Sequence, residues 1–150
     1  MTRINLVPVQ ELHDQHLFAE FREIKMVPKS LARSIAARGI EHVLANVPPA
    51  YVLGAGHVSF FYDKGDYLTT RYSRLRAELT HRNIALESAR QWYSFRDLYG
   101  DLKWDRRFQQ DYTPTPEDLA LVRARIADRV AMKPQWYRYH GHNGVTPCTV

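Results

Sequence analysis

The amino terminus holds the first group in this sequence with a chemical use beyond folding. Threonine at position 2 is small enough for a methionine aminopeptidase to remove Met1, which leaves a free α-amine on Thr2. That amine has an unperturbed pKa of about 7.7–8.0, against about 10.4 for lysine. At neutral pH roughly a tenth of it is unprotonated, against well under a thousandth of a lysine. Nearby cations such as Arg3 and Arg22 disfavour the protonated form and lower the pKa further. An amine in that state attacks carbon centres that form imines. The dipeptide alone does not select this use, because most chains that begin Met-Thr do nothing with the threonine.

Glu23 stands between Arg22 and Lys25. A carboxylate there can stabilise a developing positive charge or move protons during a ring opening; at the same spacing it also serves as a solvated ion pair. His16 lies two helical turns before it on nearly the same face. Gln15 and Glu20 are expected on the polar surface of the same segment. Further along, Arg125 and Arg129 are four residues apart, with Arg123 beside them, and repel each other unless anions attend them. Phosphates fill that role, and so do Glu117, Asp118 or Asp128. Gly54-Ala55-Gly56 is too short for a phosphate-binding loop and has no lysine-serine pair after it. His57 with Asp63, and His140 with His142, lack metal-ligand spacing, so neither a metal site nor a cofactor is expected. The aromatic run from Trp136 to His140 can stack on bases or close the core; Trp136 is expected in the core.

These groups need helices to hold them. Leu17, Phe21, Ile24, Leu31 and Ile35 recur at three- and four-residue steps, with Pro28 expected to kink the helix and Gly39 to end it. A second helix is expected over residues 67–82, with Leu68, Tyr72, Leu75 and Leu79 on one face. A third opens at Thr115-Pro116-Glu117-Asp118, a capping threonine followed by proline and acids, and buries Leu119, Val122, Ile126 and Val130. The rest reads as loops, so the expectation is an all-α fold: one compact domain over residues 1–150, with three main helices, long loops and an aromatic C-terminal tail.

Composition agrees with one domain, at 150 residues and 45% hydrophobic side chains. The net charge of +5 comes mostly from arginine and favours a polyanionic partner without proving one. Cys148 is the lone cysteine, which excludes an internal disulfide and suits a reducing compartment. No apolar stretch reaches the roughly 20 residues of a membrane span, and the first residues lack the apolar block of a secretory signal. A cytoplasmic protein is expected.

The order of these features resembles a known family. Thr2-Arg3-Ile4-Asn5-Leu6, Glu11-Leu12-His13-Asp14-Gln15-His16-Leu17 and Ala19-Glu20-Phe21-Arg22-Glu23 are similar to the N-terminal third of the pyrimidine-dimer DNA glycosylase / AP lyase family, of the phage endonuclease V type. The block Leu53-Gly54-Ala55-Gly56-His57-Val58-Ser59-Phe60-Phe61-Tyr62-Asp63-Lys64 resembles its most recognisable internal stretch. Asp111-Tyr112 and Trp136-Tyr137-Arg138-Tyr139-His140-Gly141 resemble later landmarks. The likeness implies a three-helix fold without a sheet, acting as a monomer on damaged double-stranded DNA of the nucleoid or host cell. It implies Thr2 as the nucleophile that forms an imine at the sugar, followed by β-elimination, and Glu23 as the essential carboxylate. DNA contacts are expected at Arg3, Gln15, His16, Arg22, Lys25, Arg125 and Arg129. The chain departs from the pattern at Met26, where members often carry a basic residue, and over residues 85–110. The same chemistry on another base lesion, or a damage-binding protein that bends DNA without cutting it, are the competing readings.

Overall fold

A computed structural model describes residues 3–86, 94–145 and 147. The fold is all-α apart from one small hairpin. Its helices are α1 (Asp14–Glu23), α2 (Met26–Arg38), α3 (Ile40–Ala45), α4 (His57–Phe60), α5 (Gly65–His81) and α6 (Pro116–Met132). Two 3-10 segments, Val9–Glu11 and Phe95–Trp104, lie between them. The hairpin pairs β1 (Arg138–Tyr139) with β2 (His142–Asn143) in antiparallel register.

The first expected helix is two helices, α1 and α2, and the break falls one turn before Pro28. The missing N–H of Pro28 would have bonded the Ile24 carbonyl, whose bond comes instead from the Val27 amide at 3.2 Å. Gly39, at φ 86°, ends α2 as expected. The second expected helix is α5. The third is α6, and its capping box is complete: Asp118 N–H donates to Thr115 Oγ1 at 3.1 Å, and Thr115 N–H donates to Asp118 Oδ2 at 3.0 Å. Two short helices, α3 and α4, occupy stretches expected as loop. Gly54 and Gly56, both at positive φ, turn the chain sharply into α4. The hairpin corrects the expectation of a sheetless tail.

Residues 3–12 form an arm that runs through the interior. Ile4, Val7 and Leu12 are fully buried beside Leu17, Ile24, Leu68 and Leu75 of the helices. An extended segment in an apolar core must find partners for every peptide group, and charged residues of α1 and α5 supply several. Glu20 accepts the Asn5 amide at 2.8 Å and forms a two-point ion pair with Arg71, at 2.6 and 3.2 Å. The Arg71 guanidinium also donates to the Val7 carbonyl. The placement corrects the expectation for Glu20, which lies not on the polar surface but in the core, at 1% exposure.

Removing one partner of a buried ion pair leaves the other charge without compensation, at a cost of about 3–5 kcal/mol. Glu20→Gln keeps the shape but not the charge that answers Arg71. We expect urea denaturation to show a loss in that range, with Glu20→Gln/Arg71→Met recovering part of it. A Glu20→Gln midpoint equal to that of the parent protein would show that the pair does not hold the arm.

Candidate functional site

The site is built at the free end of the arm. The Ile4 amide donates to His57 Nε2 at 2.9 Å, and the Ile4 carbonyl accepts from the Tyr51 hydroxyl at 2.8 Å. Because Nε2 accepts, the imidazole hydrogen sits on Nδ1, which donates to the Val52 carbonyl at 2.8 Å. Burial holds the His57 pKa below its usual value and, with the Arg3 and Arg125 charges, outweighs the opposing carbonyl contact. The ring is therefore neutral and keeps its acceptor. With the Asn5 amide on Glu20, the backbone is fixed from residue 4 onward. Thr2 itself lies outside the described residues.

Arginines gather at this end. Arg3 is partly buried, and its Nε is enclosed without a hydrogen-bond partner. Arg125 is partly buried and reaches Asn5 Oδ1 at 3.4 Å. Its pKa is lowered first by burial and then by the charges of Arg3 and Arg129. Arg129 is exposed one turn further along α6. Helix α6 is held in place by its buried Val122 and Ile126 and by Arg123, which pairs with Glu11 at 2.6 and 3.0 Å. Among the described residues, Arg71, Arg82, Arg96, Arg107 and Arg123 pair with carboxylates; Arg3, Arg22, Arg125 and Arg129 do not, and neither do Arg33, Arg38, Arg74, Arg106 and Arg138.

Helix α1 carries most of the other expected site residues. His16 and Glu23 share a face seven residues apart, about 10 Å along the axis. Glu23 is partly buried, and its carboxylate has no ion-pair or hydrogen-bond partner among the described residues. Among the described residues no ion pair joins Glu23 to Arg22 or Lys25, the alternative reading of this carboxylate: Arg22 lies over the Phe18 ring at 5.8 Å and Lys25 over Phe21 at 5.5 Å. The His16 ring stacks on Tyr137 at 4.8 Å and meets His13 edge-on at 5.8 Å. Burial, then His13, Arg125 and Arg129, push the His16 pKa down to about 4. His16, Arg3, Arg125 and Arg129 are thus brought together electrostatically. Gln15 is occupied by the tail: its amide donates to the Trp136 carbonyl at 2.6 Å and accepts from the Arg138 amide at 2.9 Å.

Trp136 is 55% exposed, which corrects the expectation that it lies in the core. The backbone bonds to Gln15 fix its position, and its ring meets Tyr137 edge-on at 4.9 Å. A cavity of about 730 Å³, lined by Leu6, Tyr67, Arg74, His81 and Tyr112 among others, contains none of the expected site residues. Sequence reasoning passed over Tyr51 and the holding role of His57, although the glycine block around His57 marked a constrained stretch.

A family model described as pyrimidine dimer DNA glycosylase matches residues 1–92. The chain belongs to that family. Membership makes it a DNA glycosylase of the pyrimidine-dimer type, acting on damaged DNA. The matched span of the glycosylase contains the arm, α1 and His57, while α6 and the hairpin lie beyond it. No helix among the described residues is long and apolar enough to cross a membrane.

The depressed pKa of His16 has a definite consequence. Unfolded, the ring titrates near 6.5; folded, it does so near 4, so the unfolded chain takes up the proton first. The stability contribution is complete above pH 6.5 and is lost as the pH falls towards 4. Histidine NMR titration should find His16 neutral at pH 6. The fall in the urea midpoint from pH 7 to pH 5 should shrink in His16→Gln. A His16 titration midpoint at or above 6.5 would contradict the burial and charge crowding described here.

Proposed function

We propose that the protein cuts the glycosidic bond of the 5′ base of cyclobutane pyrimidine dimers in duplex DNA and then cleaves the strand, through the α-amine of Thr2. The observation that carries this reading is the fixed arm. Its backbone is held at Ile4 and Asn5, and its first described residue, Arg3, stands with Arg125 and Arg129, which lack carboxylate partners. Residues 1–150 act as one domain and as a monomer in the cytoplasm.

In the first step the unprotonated Thr2 amine forms a bond to C1′ of the damaged nucleotide. The glycosidic bond breaks and its electron pair goes to the base nitrogen, which takes up a proton as the attached amine loses one; the base stays joined to its 3′ neighbour through the cyclobutane ring. Positive charge develops on the sugar, and the Glu23 carboxylate stabilises it. Ring opening gives an imine between Thr2 and C1′, which acidifies the proton on C2′. Glu23 removes that proton, the C2′–C3′ double bond forms, and the bond from C3′ to the phosphate oxygen breaks. Arg3, Arg22, Lys25, Arg125 and Arg129 contact backbone phosphates, while His16, neutral at working pH, stays available as a hydrogen-bonding group rather than a cation. A dimer weakens local stacking, so bending the duplex there costs less than in intact DNA.

Borohydride added during turnover should reduce the imine and link the protein to DNA, and peptide mapping should place the link on residue 2. An intact-mass measurement beforehand establishes whether Met1 has been removed. Chains that retain Met1 should form no crosslink. A link at Lys25 or Lys29 would overturn the nucleophile assignment, and incision of oxidised but not irradiated duplex would transfer the chemistry to another lesion.

Glu23→Gln preserves the size of the side chain while removing both the base and the full negative charge. Duplex binding should persist, and incision of dimer-containing DNA should fall by about two to four orders of magnitude. Near-parental incision would return Glu23 to the role of a surface carboxylate.

A further inference from the structure

The C-terminal hairpin is too small to hold its own shape. With two residues per strand it falls below the size at which a hairpin is stable in water. His140 and Gly141, at φ 50° and 80°, form its two-residue turn, and His140 takes the left-handed conformation without being glycine. Both turn amides point at one carboxylate. Asp14 Oδ1 accepts the His140 amide at 3.0 Å, and Oδ2 accepts the Gly141 amide at 2.8 Å. Asp14 is 7% exposed, and Arg82 backs it at 3.0 Å. The same guanidinium bonds Glu78 and the Leu12 carbonyl and lies 4.7 Å from the Tyr139 ring centre. Gln15 ties the start of the hairpin, and the Tyr139 hydroxyl donates to the Gln10 carbonyl at 2.9 Å.

These ties converge on one exposed group. Trp136 stands outside, against Tyr137, which stacks on His16 in the neighbourhood of Arg125 and Arg129. An exposed aromatic ring next to phosphate-binding cations is a stacking platform for a base. We propose that Asp14 is a positioning residue for DNA binding: it fixes the hairpin turn so that Trp136 is presented to the duplex beside the arginines. The proposal rests on the DNA-directed function above. Asp14, buried under the turn it binds, acts through the tail.

Charge gives the test its sign. Asp14→Asn removes a negative charge from a DNA-binding protein, and electrostatics alone would tighten binding. Positioning demands the opposite. In a Trp92→Phe/Trp104→Phe background, Asp14→Asn should lower the fluorescence anisotropy of Trp136 and speed amide exchange at His140 and Gly141. The dissociation constant for dimer-containing duplex should rise roughly tenfold, the scale of one lost base stack. Once Trp136→Ala is present, adding Asp14→Asn should change the dissociation constant by less than about twofold, because paired residues couple and independent ones add. Tyr139→Phe, which removes one surface bond of the same hairpin, should act in the same direction to a smaller degree, and it carries the test if Asp14→Asn does not fold. Tighter binding, or losses that add in full, would overturn the proposal. If the parent protein incises no irradiated duplex, the function itself fails. Exchange and anisotropy still report separately whether Asp14 holds the hairpin.

Discussion

The fold depends on a buried ion pair that exists to serve a backbone. Arg71 and Glu20 are both almost wholly inside, at 5% and 1% exposure, where two charges alone lose more in desolvation than they gain from each other. Their remaining hydrogen-bonding capacity goes to the arm, to the Asn5 amide and the Val7 carbonyl. An extended segment crossing a helical core has no ladder of its own. Apolar side chains could fill the space around it but could not satisfy its peptide groups. The pair thus acts as a polar socket, and α1 and α5 are locked together by gripping the same strand of chain.

The arginines sort by role. Those tied to carboxylates, such as Arg71, Arg82 and Arg123, join elements distant in sequence: α5 to the arm, the end of α5 to α1, α6 to the Val9–Glu11 turn. Those at the arm's free end have no such partners, and burial first, then the charges of Arg3 and Arg129, lowers the pKa of Arg125. Crowding like charges costs stability in the free protein, and a polyanion relieves it on binding. Holding His13, His16 and His57 neutral avoids adding to the repulsion.

Much of this is legible in the sequence, and each departure has a physical reason. The periodicity of α5 and the Thr115-Pro116 cap were plain because apolar spacing and capping are local signals. Residue type alone points Glu20 to the surface, although it falls three residues after Leu17 and four before Ile24, on the buried stripe. Arg71, Glu78 and Arg82 likewise fall in step with Leu68, Leu75 and Leu79. Charges recurring on an apolar face were the missed sign of a buried polar network. Pro28 points to a break at its own position, but the break between α1 and α2 falls one turn earlier, because the missing N–H is felt at the carbonyl it would have bonded. The exposure of Trp136 could not be read locally, since it follows from bonds to Gln15 made across 121 residues.

The arm's geometry bears directly on how a terminal amine can work as a nucleophile under the proposed mechanism. A free terminus samples many positions, and fixing it during the reaction would cost entropy each time. Here that cost falls on folding: His57, Tyr51 and Glu20 hold the backbone at residues 4 and 5, which leaves few torsions between the fixed chain and position 2. An amine presented in this way gains the advantage of an intramolecular reactant once the sugar is bound. His57 keeps its acceptor only while neutral, so protonating it removes one of these ties. The grip on the arm and the reactivity of the amine then weaken in the same direction as pH falls, the first through His57 and the second through protonation of the nucleophile itself.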